Sequence, residues 1–311
     1  MSVQSSAIAP RAHPLSTVPA GLGWGVLGVA AFSFTVPLTR VAVGELSPLF
    51  IGAGRAVVAA TLAAIALGVT RQALPRGRQW WRLVVVAGGV VAGFPLLTTY
   101  ALTEVPASHG AVVIALLPAV TAVLAVLRTG ERPTRSFWAF SACGALAAVG
   151  FAVVQGGGVS GIHRADLLLF AGVLVCATGY AEGGLLTREL GSWQTISWAL
   201  VVALPLMATL TAASVVRQPP SGGPAAWACF AYLAVVSMFL GFFAWYRGLA
   251  IGPMAQVSQV QLVQPVLSIT WAGLLLGEQI TAATVVGGLA VILLAGGATS
   301  SRARTVRARP S

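Results

Sequence analysis

The sequence predicts an all-α integral membrane protein whose ten transmembrane helices form two inverted five-helix repeats, and three observations carry that prediction. First, 57% of the residues are hydrophobic, 8% are charged and the mean hydropathy is +0.89, whereas an ordinary soluble domain is roughly 25% charged. Apolar runs long enough to cross a hydrocarbon core about 30 Å thick follow one another along almost the whole chain. They leave no room for a sizeable soluble domain. Second, the chain repeats itself: Pro106, Pro118 and Gly130-Glu131 recur as Pro253, Pro265 and Gly277-Glu278 at a constant offset of 147, and Leu38-Thr39-Arg40 recurs as Leu186-Thr187-Arg188 at 148. A unit of that length is an internal duplication, not a solenoid of short units. Third, the net charge of +11 rests on arginine alone, with no lysine in the chain, and the arginines cluster in alternate connections. Such placement sets membrane orientation and does not require a nucleic-acid partner.

The elements follow in order. Residues 1–20 form a polar tail, and its lack of a charged start, short apolar core and small-residue cleavage site argues against a cleaved signal peptide. Spans at about 21–41, 48–69, 80–102, 106–127 and 136–155 make the first repeat, 21–155. Spans at about 165–187, 193–215, 225–247, 253–276 and 280–299 make the second, 165–299, before a basic tail at 300–311. The connections carry breakers such as Leu74-Pro75-Arg76-Gly77, Gly156-Gly157-Gly158 and Pro219-Pro220-Ser221-Gly222-Gly223. With the N-terminus inside, Arg11, Arg71, Arg76, Arg78, Arg82, Arg128, Arg132, Arg135, Arg188, Arg247, Arg302, Arg304, Arg307 and Arg309 fall on the cytoplasmic side. Only Arg40, Arg164 and Arg217 fall outside, and Arg55 lies within a span. Both termini are therefore expected in the cytoplasm. Five spans per repeat is an odd number, so the second repeat enters the membrane from the opposite side. Inverted repeats about a membrane midplane are the architecture of many secondary transporters, because two near-equivalent halves supply two near-equivalent gates.

The residues from Ala101-Leu102 through Pro118 to Gly130-Glu131-Arg132-Pro133-Thr134, and from Gly248-Leu249 through Pro265 to Gly277-Glu278-Gln279-Ile280-Thr281, resemble the two tandem EamA domains of the drug/metabolite transporter superfamily. The resemblance covers roughly residues 21–300. It implies a carrier in the plasma (inner) membrane that exports, or sometimes takes up, small metabolites such as amino acids and related compounds; the alternative reading of the residues is a membrane-embedded enzyme or a non-transporting membrane subunit.

Several residues are candidates for that work. Pro118 and Pro265 stand mid-span, where each removes a helical hydrogen bond and frees the carbonyl four residues earlier, at Ile114 and Gln261. They are candidate hinges, or static kinks that neighbouring helices satisfy. Span nine is the most polar, with Gln256, Ser258, Gln259, Gln261, Gln264 and Ser268. Gln261, Gln264 and Ser268 share one helical face, reading as a cavity wall or as packing through side-chain amides. Glu182 and Arg55 lie at membrane depth, where ionisable groups are costly. Glu182 reads equally as a cavity or proton-coupling group and as a local partner of Arg188, helped by the close-packing spacing of Gly179 and Gly183. Arg55 reads as an attractor for an anionic substrate or as a snorkelling anchor. His109 matches Gln256 at the repeat offset and reads first as a surface or packing residue. Glu131 and Glu278, each after a glycine and shortly before a threonine, read as caps of the helix that follows, on opposite membrane faces. Tyr100, Trp245 and Tyr246 read as interfacial aromatics.

No enzyme signature is present: the chain has no Gly-x-Ser-x-Gly elbow, no His-Glu-x-x-His and no Walker loop. One Asp and three scattered His offer no metal cluster, and Cys143, Cys176 and Cys229 read as small buried residues without disulfide or metal roles. No cofactor is expected. The expected partners are the bilayer and a small metabolite, with proton coupling an open question.

Overall fold

The computed structural model describes residues 17–105, 107–155, 164–277 and 282–301. Among these residues every regular element is a helix. In chain order they are α1 (Val18–Ala42), α2 (Pro48–Val69), α3 (Arg78–Glu104), α4 (Ala107–Ile114), α5 (Leu117–Thr129), α6 (Arg135–Gln155), α7 (Arg164–Leu190), α8 (Ser192–Arg217), α9 (Pro224–Ile251), α10 (Met254–Leu276) and α11 (Ala282–Ser300). Seven of them, α1, α2, α3, α7, α8, α9 and α10, are long and apolar enough to cross a membrane. The 22 residues of α2 reach about 33 Å at 1.5 Å per residue. Large apolar side chains cover the outside of the bundle, among them Val69 at 78%, Leu127 at 74% and Leu293 at 74% exposure. A surface of that kind is stable against lipid and not against water.

The duplication in the sequence reappears in the backbone. Leu117–Thr129 and Gln264–Leu276 are both 13-residue α-helical segments that begin on Leu-Pro or Gln-Pro and end at Gly130 (φ 69°) and Gly277 (φ 71°). Both glycines are left-handed, a conformation that closes a helix and that a β-carbon disfavours. The π-helical segments Ala87–Gly93 in α3 and Leu233–Leu240 in α9 also occupy equivalent places. Packing repeats the pattern: α2 lies along α8, α6 along α11, and the α1–α9 pair is matched by α3–α7.

Small residues bring the last two pairs close. A β-carbon on Gly89 of α3 would stand 2.4 Å from the Val175 carbonyl oxygen of α7, and one on Gly248 of α9 would stand 2.8 Å from that of Gly21 in α1. Backbones at this separation gain dispersion contacts that larger side chains would prevent, which is how helices associate when lipid supplies no hydrophobic drive.

Helix ends have local causes. Ser47 caps α2 by accepting from Phe50 N at 3.2 Å, with Pro48 in the first turn. The α1 helix breaks at Phe34, between Thr17–Ser33 and Thr35–Ala42, because Pro37 has no N–H to offer the Ser33 carbonyl.

Candidate functional site

The irregular stretches converge. A central cavity of about 30 Å³ is lined by Thr35 beside the α1 break, by Val90 and Phe94 at the π segment of α3, by Ser237 and Met238 at that of α9, and by Leu117 and Gln264 at the proline bends. Arg55 from α2 and Tyr180 from α7 complete it from regular helix, together with Phe32 and Phe242. An adjoining pocket of about 10 Å³ holds Pro118, Pro265, Gln261, Gln264 and Ser268. The two prolines thus face one another across the junction of the repeats. The turn at 115–116 precedes Pro118, and a 3₁₀ segment, Gln259–Val263, precedes Pro265, so each expected bend is present in the backbone. Irregular backbone at membrane depth is tolerated where it lines such a cavity. A cavity of roughly 30 Å³ has room for one or two waters and not for a metabolite.

The polar groups there are incompletely satisfied. Arg55 is 2% exposed, its Nε has no hydrogen-bonding partner, and no ion pair joins it to a carboxylate among the described residues. Instead of snorkelling outward it stays buried about two turns into α2, within a span where an ionised group is costly. Gln261 is 2% exposed and neither atom of its amide is paired, although the Tyr180 hydroxyl lies nearby. Ser268, in contrast, is spent on structure: its hydroxyl donates at 2.7 Å to the Ser33 carbonyl that Pro37 leaves free, while Trp271 Nε1 donates to Ser33 Oγ at 2.9 Å. Thr35 and Ser237 share a hydroxyl pair at 2.7 Å. The aromatic wall is continuous, with Phe32 and Phe242 rings 4.9 Å apart and Tyr180 5.3 Å from Trp245.

Glu182 lies elsewhere. It is buried on α7 and accepts from Arg82 Nε of α3 on one oxygen and from Arg128 Nη2 of α5 on the other. Arg82 reaches on to Glu189, which also accepts from Gln79 at 3.1 Å. Arg82, Arg128, Glu182 and Glu189, with Arg78 and Trp81, line a separate cleft of about 640 Å³. The partners expected from sequence are therefore corrected from Arg188 to Arg82 and Arg128, which stand 100 and 54 residues away.

Other expectations change as well. Glu131 is a helix cap, but of a different helix: it accepts from Met254 N at 3.0 Å and Ala255 N at 3.1 Å, closing the start of α10 in the other repeat instead of the following α6. Its counterpart Glu278 lies outside the described residues. Gln256 donates to the Ser301 carbonyl just beyond α11, and Gln259 donates to the Pro118 carbonyl at 3.3 Å. Of the polar residues named in span nine, Gln261, Gln264 and Ser268, the three that share a face, line the central spaces. Trp245 and Tyr246 are fully buried and not interfacial, because Trp245 packs on Phe32 and Tyr180, and Tyr246 donates to the Gly179 carbonyl at 3.2 Å. Tyr100 is 40% exposed. Cys176 and Cys229 are buried, but Cys143 is exposed on the bundle surface. His109 falls in α4, its side chain outside the described residues. Among the described residues no three His, Cys, Asp or Glu side chains gather as metal ligands.

Sequence reasoning missed the wall of Phe32, Tyr180 and Phe242, the Thr35–Ser237 pair and the Arg82–Glu182–Arg128 link. Pro37 inside an apolar run was a usable signal for the α1 break. Nothing local signalled the rest.

Comparison with known proteins agrees with this architecture. A solved structure with 19% sequence identity superposes with a TM-score of 0.70 over 90% of this chain and 96% of that one, a likeness of fold. The chain is 47% identical to "Uncharacterized transporter YdeK" of Bacillus subtilis (strain 168) across 87% of its length and 94% of that protein. It is 28% identical to a "Probable terminal-alkyne amino-acid exporter" of Streptantibioticus cattleyicolor, over 85% of this chain and 88% of that one. The family model described as "EamA-like transporter family" matches twice, at residues 19–153 and 163–297. With both halves of the helical bundle matched in this way, the chain belongs to the EamA-like transporter family.

Proposed function

We propose that this protein is a secondary carrier that exports small metabolites, amino acids or related compounds, across the plasma (inner) membrane by alternating access, without chemistry on the cargo. In this reading ten spans form two inverted five-helix repeats, 21–155 and 165–299, between cytoplasmic tails at 1–20 and 300–311. The observation that carries it is the central cavity lined from both repeats, around which five of the helical stretches lose regular α geometry. Segments of that kind absorb the backbone changes by which one gate opens as the other shuts. Pro118 and Pro265 are the paired hinges, and Arg55, Gln261 and Gln264 are the polar contacts of the cargo. The distant likeness to a probable amino-acid exporter supports the substrate class.

The test is flux. Protein reconstituted in liposomes loaded with a panel of labelled amino acids is expected to release one subset faster than protein-free vesicles, and to exchange it against unlabelled solute outside. Release no faster than from empty vesicles, for every amino acid and related metabolite tried, would sink the reading.

A further inference from the structure

We infer that the central cavity is a receptor for a monocarboxylate, free or as the acid end of a zwitterion, anchored by Arg55. The inference rests on the carrier reading above and names the chemistry of its cargo.

The charge inventory of the cavity comes first. Its lining holds one guanidinium, that of Arg55, and otherwise only neutral side chains. The carboxylates nearest in role are committed elsewhere, Glu182 to Arg82 and Arg128, and Glu131 to the start of α10. A guanidinium in a low-dielectric interior attracts an anion far more strongly than it would in water. Its planar fork matches the two oxygens of a carboxylate. One carboxylate neutralises it, whereas a phosphate dianion leaves an uncompensated negative charge and an amine adds a second positive one.

Hydrogen-bonding capacity supports the same class. Arg55 Nε and the Gln261 amide oxygen are buried without partners, and the Gln261 amide nitrogen has only the Tyr180 hydroxyl beside it. Native interiors rarely leave such groups unsatisfied unless something else completes them. An α-ammonium group finds an acceptor in the Gln261 amide oxygen and ring faces in Phe32 and Phe242, the latter by cation–π attraction. The remaining wall, including Leu117 and Met238, is apolar and suits a hydrocarbon side chain over a second charged group. The space is only about 30 Å³ here, so the solute binds as the irregular segments yield and the cavity widens.

The experiment uses the full-length protein in detergent and follows thermal unfolding with four probes: leucine, 4-methylpentanoate (leucine without its amine), 3-methylbutylamine (leucine without its carboxylate) and inorganic phosphate. Leucine and 4-methylpentanoate are expected to raise the melting temperature in a saturable way, and the amine and phosphate to leave it unmoved. Arg55→Lys keeps the charge but not the planar fork, and is expected to bind both carboxylates more weakly than wild type and more tightly than Arg55→Met. Arg55→Met is expected to lose at least tenfold in affinity while melting no lower than wild type without probe, because it removes an unpaired buried charge. If Arg55→Met does not fold, Gln261→Leu decides: it is expected to weaken leucine more than 4-methylpentanoate. No shift with either carboxylate, an equal shift with the amine, or wild-type affinity in Arg55→Met overturns the inference. Flux and binding separate the two readings. Selective carboxylate binding without any flux refutes the carrier and leaves the receptor, whereas flux indifferent to the carboxylate does the reverse.

Discussion

Removing the Glu131 carboxylate tests how the two repeats are joined. Its oxygens accept from Met254 N and Ala255 N at 3.0 and 3.1 Å, and the N-cap of that helix, Pro253, has no side chain able to cap it. The first-turn amides of a helix have no partner within the helix, so Glu131→Ala orphans two of them. Hydrogen bonds to a charged acceptor contribute about 1.5–3 kcal/mol each when shielded from water. Glu131 is only partly buried, and water replaces part of what the substitution removes. The measured range for losing an N-cap, about 0.5–2 kcal/mol, is therefore the better guide, and the two bonds together place this case at about 1–2 kcal/mol. Local opening at the start of α10 should then become about 5–30 times more frequent, since about 1.4 kcal/mol is a factor of ten. Amide hydrogen exchange resolved to residues 254 and 255 is the direct assay. Glu131→Asp, shorter by a methylene, is expected to fall between wild type and Ala. Unchanged exchange at both amides in Glu131→Ala would refute the assignment of this side chain as the cap of α10.

Two further outcomes follow from packing and charge. Glu182→Gln removes the anion that ties α3 and α5 to α7, and because Arg128 is 54% and Arg82 20% exposed, water offsets much of the loss. The expected cost is about 1–2 kcal/mol, below the 3–5 of a fully buried pair, and it is read as a lower denaturation midpoint. The response of flux to an imposed pH gradient is expected to match wild type, since the geometry is that of an interhelix tie; loss of that response would make Glu182 a proton carrier. Gly89→Ala pushes a β-carbon against the Val175 carbonyl of α7 and is expected to cost about 1–3 kcal/mol through overpacking. Gly23→Ala meets nothing within 4 Å and serves as the control, with stability unchanged or slightly raised, both read from melting curves.

Much of the bundle was legible because the signals are local. An apolar run must satisfy its own backbone in lipid, so hydropathy alone marks spans such as 48–69, whose helix is Pro48–Val69. Proline removes an N–H wherever it falls, so the bends before Pro118 and Pro265 could be read directly. The site was only partly legible. The shared face of Gln261, Gln264 and Ser268 could be read from their spacing, and all three line the central spaces, but the partners of the other two glutamines could not: Gln256 and Gln259 bond the backbone at Ser301 and Pro118. Trp245 and Tyr246 sit near a span end in sequence, yet Gly28 of α1 lets that helix close over Trp245 and Gly183 of α7 makes room for the Tyr246 ring, so both are buried.

The sequence by itself determined the membrane environment, the helical class, the duplication and its bends, because each follows from composition or from residues a few positions apart. Tertiary structure alone decided the partners. That Glu182 binds Arg82 and Arg128 and not Arg188, that Glu131 caps α10 and not α6, and that Arg55 is enclosed with Tyr180 and Gln264 all depend on contacts between residues tens to more than a hundred positions apart. Helix periodicity shows that a polar group must turn away from lipid, but the group it meets is set by how the two halves dock.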